Sequence, residues 1–326
     1  MKTLVLSMIS IAATVAAMTA CTSESDPIDE VNPKDGKIEI KLNAGVGDIS
    51  TKSSIESNAS GITTTDVNNV FLYKQETTLA TNPDWSTFDL TSATAINVSI
   101  AANTGVINFG ENKQYYPIDN KNVHFIGLYT GKTEAPTIQS GAQASITITG
   151  SEDILYAKSF NAGTRETQIN NTKMDFTHKL TQIRFTLKKE SGNENITITG
   201  MKIIKTGGTD IHNTSTLSLN DGTWGSWSGK INEISISSYP TEALLTTPSE
   251  KTEGIMLEPG INSITVEVNS SSFPDQKLTT TIDGISTGNV FSEGKAYTIA
   301  LTIKDKVVSG EASIKAWEEE NGTGDL

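Results

Sequence analysis

Few side chains in this sequence could do chemistry, and their spacing narrows the field further. The 326 residues contain one cysteine, Cys21, and three histidines, His124, His178 and His212. Metal centres need ligands at set spacings, such as HExxH or paired cysteines, and neither pattern is present. His124 and His178 fall in apolar alternating runs and read as satisfied structural histidines. The stretch Gly225-Ser226-Trp227-Ser228-Gly229 has the glycines of a nucleophile elbow, but Trp227 stands where G-x-S-x-G needs its serine. No two carboxylates can be singled out as an acid/base pair, because loop positions do not convert into a separation of about 5 to 9 Å. The sequence therefore implies no enzyme, no cofactor and no metal. Cys21 is left to explain, since a single thiol forms no internal disulfide and is a liability in an oxidising compartment.

Its surroundings give the explanation. The chain opens Met1-Lys2-Thr3 and runs from Leu4 to Ala20 in small, apolar or hydroxyl residues, the pattern of a signal peptide over residues 1–20. A transmembrane anchor is the alternative, but the run is short for a bilayer needing about 20 apolar residues and is broken by Ser7, Ser10, Thr14 and Thr19. Met18-Thr19-Ala20-Cys21 resembles a bacterial lipobox, with Met18 where leucine is usual. That resemblance implies that Cys21 is the lipidated first residue of the mature chain. Acyl chains contribute about 0.8 kcal/mol per buried CH2, so several of them hold a protein on a membrane. Residues 21–36 are polar, contain Pro27 and Pro33 and read as a tether. Their acidic cluster Glu24, Asp26, Asp29 and Glu30 resembles the export signal of surface lipoproteins; an ordinary solvated linker is the other reading. A net charge of −13 and only two arginines, Arg165 and Arg184, argue against a nucleic-acid partner.

The elements beyond the tether are strands. Charged residues make up 19% of the chain, no stretch sustains a 3.6-residue apolar period, and short alternating runs recur between turn signals such as Asn220-Asp221-Gly222 and Asp283-Gly284. Lys37 to Leu42 places Ile38, Ile40 and Leu42 on one face, and Ala95 to Ile100 does the same with Ile96, Val98 and Ile100. A long run from Met174 to Leu187 changes phase. Phe176, His178 and Leu180 share one parity and Ile183, Phe185 and Leu187 the other, which a β-bulge near Thr181-Gln182 would reconcile. The expectation is an all-β chain of two tandem antiparallel β-sandwiches, over 37–168 and 169–326, with a boundary loop near Asn161 to Arg165.

Five segments resemble one family. Gln114-Tyr115-Tyr116-Pro117 followed by Val123 to Tyr129 is similar to the "YxP then VxFxAYYP" segment of the fimbrillins, the subunits of type V fimbriae. Asp153 to Ala157 resembles their "DLLYA" strand and Met174 to Leu180 their "LxFxHxL" strand. Gly294 to Ile299 resembles "GKxYxxxL", and Ala312 to Trp317 resembles the terminal "ASIxxW". The resemblance runs from about residue 36 to 320. It implies two Greek-key, transthyretin-like domains, export as a lipoprotein to the outer membrane surface, and assembly by strand exchange after a surface protease removes the first strand. The groove so opened is filled by a strand of the next subunit.

Carried onto this chain, the displaced strand is Lys37 to Leu42, or in a longer form out to Val46, with Ile38, Ile40 and Leu42 facing inward. Processing falls after Lys52, where the family has arginine, so either a lysine-tolerant protease acts or Lys52 is a solvated loop residue. The donor is Glu311 to Trp317, with Ala312, Ile314, Ala316 and Trp317, or this strand simply finishes its own sheet. Family tip subunits lack such a segment, which implies a shaft or anchor subunit. The partners implied are other fimbrial subunits, a surface protease, the outer membrane through the lipid, and a host glycan or protein in adhesion. A second reading is a monomeric surface lipoprotein binding host or dietary glycans on a platform of Trp85, Trp224 and Trp227, residues that could equally cap a core.

Overall fold

A computed structural model describes residues 36–47, 61–90, 95–169, 172–191, 195–304 and 307–315. The signal peptide, Cys21, the tether up to residue 35, Lys52, Ala316 and Trp317 lie outside the described residues. The first nine strands are β1 (Leu42–Val46), β2 (Val67–Thr77), β3 (Ile96–Ile100), β4 (Val106–Asn108), β5 (Asn122–Tyr129), β6 (Ile138–Gln139), β7 (Gln143–Thr147), β8 (Leu155–Gly163) and β9 (Lys173–His178). They are followed by β10 (Thr181–Lys189), β11 (Ile198–Thr206), β12 (Thr214–Ser218), β13 (Ile234–Ser235), β14 (Ile255–Leu257), β15 (Ser263–Ser270), β16 (Leu278–Asp283), β17 (Ala296–Lys304) and β18 (Val307–Lys315). The only helical element among the described residues is a 3-10 turn, Trp85–Thr87, and no helix there is long and apolar enough to cross a membrane. The chain is all-β.

The sheets depart from the expected pair of antiparallel sandwiches in two respects. The first half closes into a seven-stranded barrel in the order β1-β4-β3-β2-β5-β8-β9. Closure comes from β1, which pairs antiparallel with β4 (Leu42↔Ile107) and parallel with β9 (Asn43↔Lys173 to Val46↔Phe176). An open sheet would leave two rows of unpaired backbone groups, and a strand bonded on both sides removes both. The expectation of purely antiparallel pairing fails at β1/β9 and again at β10/β17, both of which are parallel. The later strands form two four-stranded sheets, β14-β10-β17-β18 and β13-β11-β15-β16, and their inward side chains share one apolar cluster. A third sheet, β12-β7-β6, brings residues 214–218 back to strands of the first half. Residues Ile38–Leu326 are one compact unit.

The phase change in Met174 to Leu187 has a larger cause than a bulge. β9 ends at His178 and β10 begins at Thr181 in a different sheet. Met174, Phe176 and Leu180 lie in the barrel cluster, whereas Ile183, Phe185 and Leu187 lie in the second cluster. The parity switch therefore marks the passage of the chain from one core to the other.

One histidine carries a stability consequence. His124, in β5, is fully buried, with Nε2 3.1 Å from Thr77 Oγ1 and 3.3 Å from the Leu79 carbonyl, and burial lowers its pKa below the ordinary 6.5. Between the folded pKa and 6.5 the unfolded chain binds more protons, so stability rises with pH through that window and falls on acidification. Urea midpoints measured from about pH 5 to 7.5 should show this fall, and His124→Gln should flatten it. An unchanged profile in the variant would assign the acid sensitivity elsewhere.

Candidate functional site

The first strand sits in a slot made for it. Ile40, Leu42, Ala44 and Val46 alternate inward and are each 3% exposed or less, while Ile38 is half-buried against the same core. The expected strand thus starts later than Lys37. Regular pairing begins at Leu42, and residues 38–40 are held by a separate bridge, Glu39↔Tyr115. There the Ile40 N–H donates to the Gln114 carbonyl at 2.7 Å and the Tyr116 N–H donates to the Ile38 carbonyl at 3.0 Å. Tyr116 is anchored in turn by its hydroxyl, which donates to the Ala162 carbonyl at 2.8 Å. These holding residues were quoted in the sequence only as part of a family segment; nothing in their spacing announces the bridge.

Further along, the Ala44 N–H donates to Gly105 at 2.7 Å and the Gly47 N–H to Phe176 of β9 at 2.8 Å. Gly105 has a φ of 69°, and a Cβ there would lie 2.4 Å from the Ala44 carbonyl oxygen. Only glycine admits β1 so closely. The Val46 N–H donates to the Gly61 carbonyl at 2.8 Å. Residues 48–60, which contain Lys52, therefore connect two ends that meet, and the only covalent link from β1 to the rest of the barrel runs through them. A cut anywhere in that connection leaves β1 held by non-covalent contacts alone.

At the other end of the chain, β18 pairs antiparallel with β17 along its whole length, from Ala296↔Lys315 to Lys304↔Val307. Ala312 is half-buried against the second core, and Ile314 is in register with Tyr297. In this chain on its own, the described part of the expected donor, residues 311–315, finishes its own sheet, at the edge. An edge strand is hydrogen-bonded on one side only, whereas β1 is bonded on both.

The three tryptophans do not form one exposed platform. Trp85 is 0% exposed, meets Phe88 edge-on at 6.1 Å, and its backbone N–H donates to Asn220 Oδ1 at 2.8 Å. It starts the 3-10 turn whose N-cap is Asp84, a geometry that sends its ring into the barrel core. Trp224 and Trp227 are half-buried against that same core, with ring centroids 4.8 Å apart. Trp224 Nε1–H donates to the Lys179 carbonyl at 2.9 Å, pinning the crossing between β9 and β10. The remaining histidines are held by carboxylates: His178 Nδ1 lies 2.9 Å from Asp153, both buried, and His212 Nδ1 lies 3.0 Å from Glu258. Burial raises the pKa of Glu258, and His212 opposes that rise.

Comparison with known proteins adds an independent line. The family model described as fimbrillin-like matches residues 35–317. Among solved structures, a candidate cell adhesion protein from Bacteroides uniformis is 15% identical, with 87% of this chain and 100% of that one covered at a TM-score of 0.57. Another from Bacteroides ovatus is also 15% identical, covering 88% and 100% at a TM-score of 0.54. At such identities the likeness is one of fold. No curated protein matches the sequence.

Proposed function

The chain belongs to the fimbrillin-like family, and on that premise we propose that it is a structural subunit of a surface fimbria, of shaft or anchor type, polymerised by strand exchange at the β1 slot and supporting adhesion. The observation that carries this reading is the position of β1: it closes a barrel, is buried along one face, and joins the rest of the fold through residues 48–60 alone. Proteolysis after Lys52 would turn it into a removable plug. Removal would leave facing edges of β4 and β9 and an apolar floor, which a strand from a neighbouring subunit can satisfy at once. The donor we assign is β18 with its continuation through Trp317. Leaving an edge for a slot with neighbours on both sides, it exchanges one row of backbone hydrogen bonds for two.

The two apolar clusters are taken as two domains, with the seam moved from the expected 168/169 to Lys179-Leu180, because residues 161–163 belong to β8 and 173–178 to β9 of the barrel, and with β12 reaching back across it. The partners on this reading are further fimbrial subunits and a lysine-tolerant surface protease. Size exclusion after mild trypsin treatment, with the nicked strand then displaced in mild denaturant and the denaturant removed, tests the proposal. A subunit of this kind loses its N-terminal segment and runs as a ladder of oligomers, while a chain that stays monomeric after losing it is not one. The competing reading, a monomeric glycan binder with a tryptophan platform, is weakened by the burial of Trp85.

Attachment is by Cys21, lipidated and held at the outer membrane surface. Cys21→Ala should move the protein from the membrane fraction to the soluble fraction or leave it unprocessed. Equal fractionation of variant and parent would remove the lipid anchor from this account.

A further inference from the structure

A groove on the barrel wall, lined by none of the tryptophans, carries six neutral polar side chains beside the apolar Val98 and Phe109. It is an open concavity of about 340 Å³ between the start of β2, β3 and the end of β4. Its walls carry five carboxamides, Asn68, Asn69, Asn97, Asn108 and Asn112, together with Ser99, and Phe109 lies in its floor, 6% exposed. Two backbone irregularities make the concavity. The β2/β3 register slips between Val67 and Val70, where Asn69 adopts a φ of 59°, and β4 stops at Asn108, where the chain turns through Gly110. The amides are partly pre-set: Asn97 Nδ2 donates to Asn69 Oδ1 at 3.4 Å, and Asn108 Oδ1 accepts the Gly110 N–H at 2.8 Å, fixing its carboxamide with the NH2 left to donate.

We propose that this groove binds a neutral sugar residue. Each carboxamide offers an acceptor oxygen and a two-hydrogen donor side by side, and sugar hydroxyls on adjacent carbons are likewise donors and acceptors in pairs. An apolar ligand would leave these amides unsatisfied. An anionic ligand finds no lysine or arginine in the lining, meets the carboxylate of Glu111, and approaches a chain of net charge −13. The volume lies at the small end of ligand sites, matching one sugar ring rather than a long chain. Pre-set amides lose less freedom on binding, which favours recognition over simple hydration. No residue of β1 lines the groove, although β4, which ends in its wall, also pairs with β1, and the groove lies on the barrel of a single subunit.

The test uses the full, uncleaved chain, so that failure of assembly and failure of this site are separate results. Methyl glycosides of galactose, glucose, mannose and N-acetylglucosamine are titrated in turn against the asparagine side-chain amide resonances, with methyl glucuronide as the charged counterpart. At least one neutral glycoside should shift the Asn97 and Asn108 resonances saturably, and the glucuronide should bind more weakly than methyl glucoside. Asn97→Ala should weaken binding about fivefold; Glu111→Gln should narrow the gap between glucoside and glucuronide; Gln139→Ala, an exposed amide on another sheet, should change nothing. Separate arms with a mucin glycan and a plant oligosaccharide tell a host from a dietary source, binding in either supporting the groove. The proposal is overturned if no neutral glycoside perturbs these amides, if glucuronide binds as well as glucoside, or if Asn97→Ala leaves the affinity unchanged.

Discussion

Severing the chain after Lys52 and removing the N-terminal fragment in mild denaturant should destabilise what remains by on the order of 5 to 9 kcal/mol, and a peptide of residues 37–47 should restore it. Three large apolar side chains, Ile40, Leu42 and Val46, leave the core together, each contributing about 1.5 to 3 kcal/mol of burial. The backbone edges of β4 and β9 lose their partner at the same moment. Native domains are stable by about 5 to 15 kcal/mol, so a loss of this size brings the opened barrel to the margin of unfolding and makes it a strong acceptor. Cutting alone should not release β1, because its contacts persist when the covalent link is gone. The nicked fragment should co-elute until a competitor or denaturant displaces it. Urea titration of intact, nicked and stripped protein measures each step, and Lys52→Ala should resist cleavage at this site and remain monomeric. Stripped protein with the stability of the intact chain would show that β1 is not the plug.

Deleting residues 311–326 should abolish donation while leaving acceptance intact. Mixed in equal amounts with cleaved full-length protein, the truncated chain should end growth at every second addition, so long ladders collapse to short ones. The deletion removes part of the edge strand β18, so its effect on donation must be separated from any effect on its own sheet. A second reagent separates the two effects: a peptide of residues 307–317 added to intact, cleaved subunits should occupy the vacated slot and block ladders, while a scrambled peptide should not. β18 is suited to leave because it sits at a sheet edge, with β17 on one side only. If the truncated protein polymerises alone as well as the parent does, the donor lies elsewhere and the shaft assignment loses its basis.

Much of the architecture was legible along the chain. The alternation of Ile96, Val98 and Ile100, or of Tyr297, Ile299 and Leu301, places side chains on two faces whatever the surroundings, and the structure finds strands at both. Inward positions of the first strand were readable for the same reason: Ile38, Ile40 and Leu42 share a parity that continues through Ala44 and Val46. The phase change before Ile183 was visible too, but its meaning was not, since a bulge and a passage between two cores leave the same local pattern. Strand partners lie beyond local reading. That β1 joins β4 to β9 depends on residues about 60 and 130 positions away, and periodicity carries no information on which edges meet. The tryptophans failed as a platform on similar grounds. A polar loop in sequence says nothing of the ring's surroundings, and Trp85 is buried because Asn220, 135 residues on, folds back to hold its turn. Local pattern therefore determined which residues form strands and which face inward, because side-chain direction follows from backbone geometry alone. Barrel closure, the seat of the first strand and the asparagine groove were decided only by the tertiary structure, because each depends on contacts between segments distant in the chain.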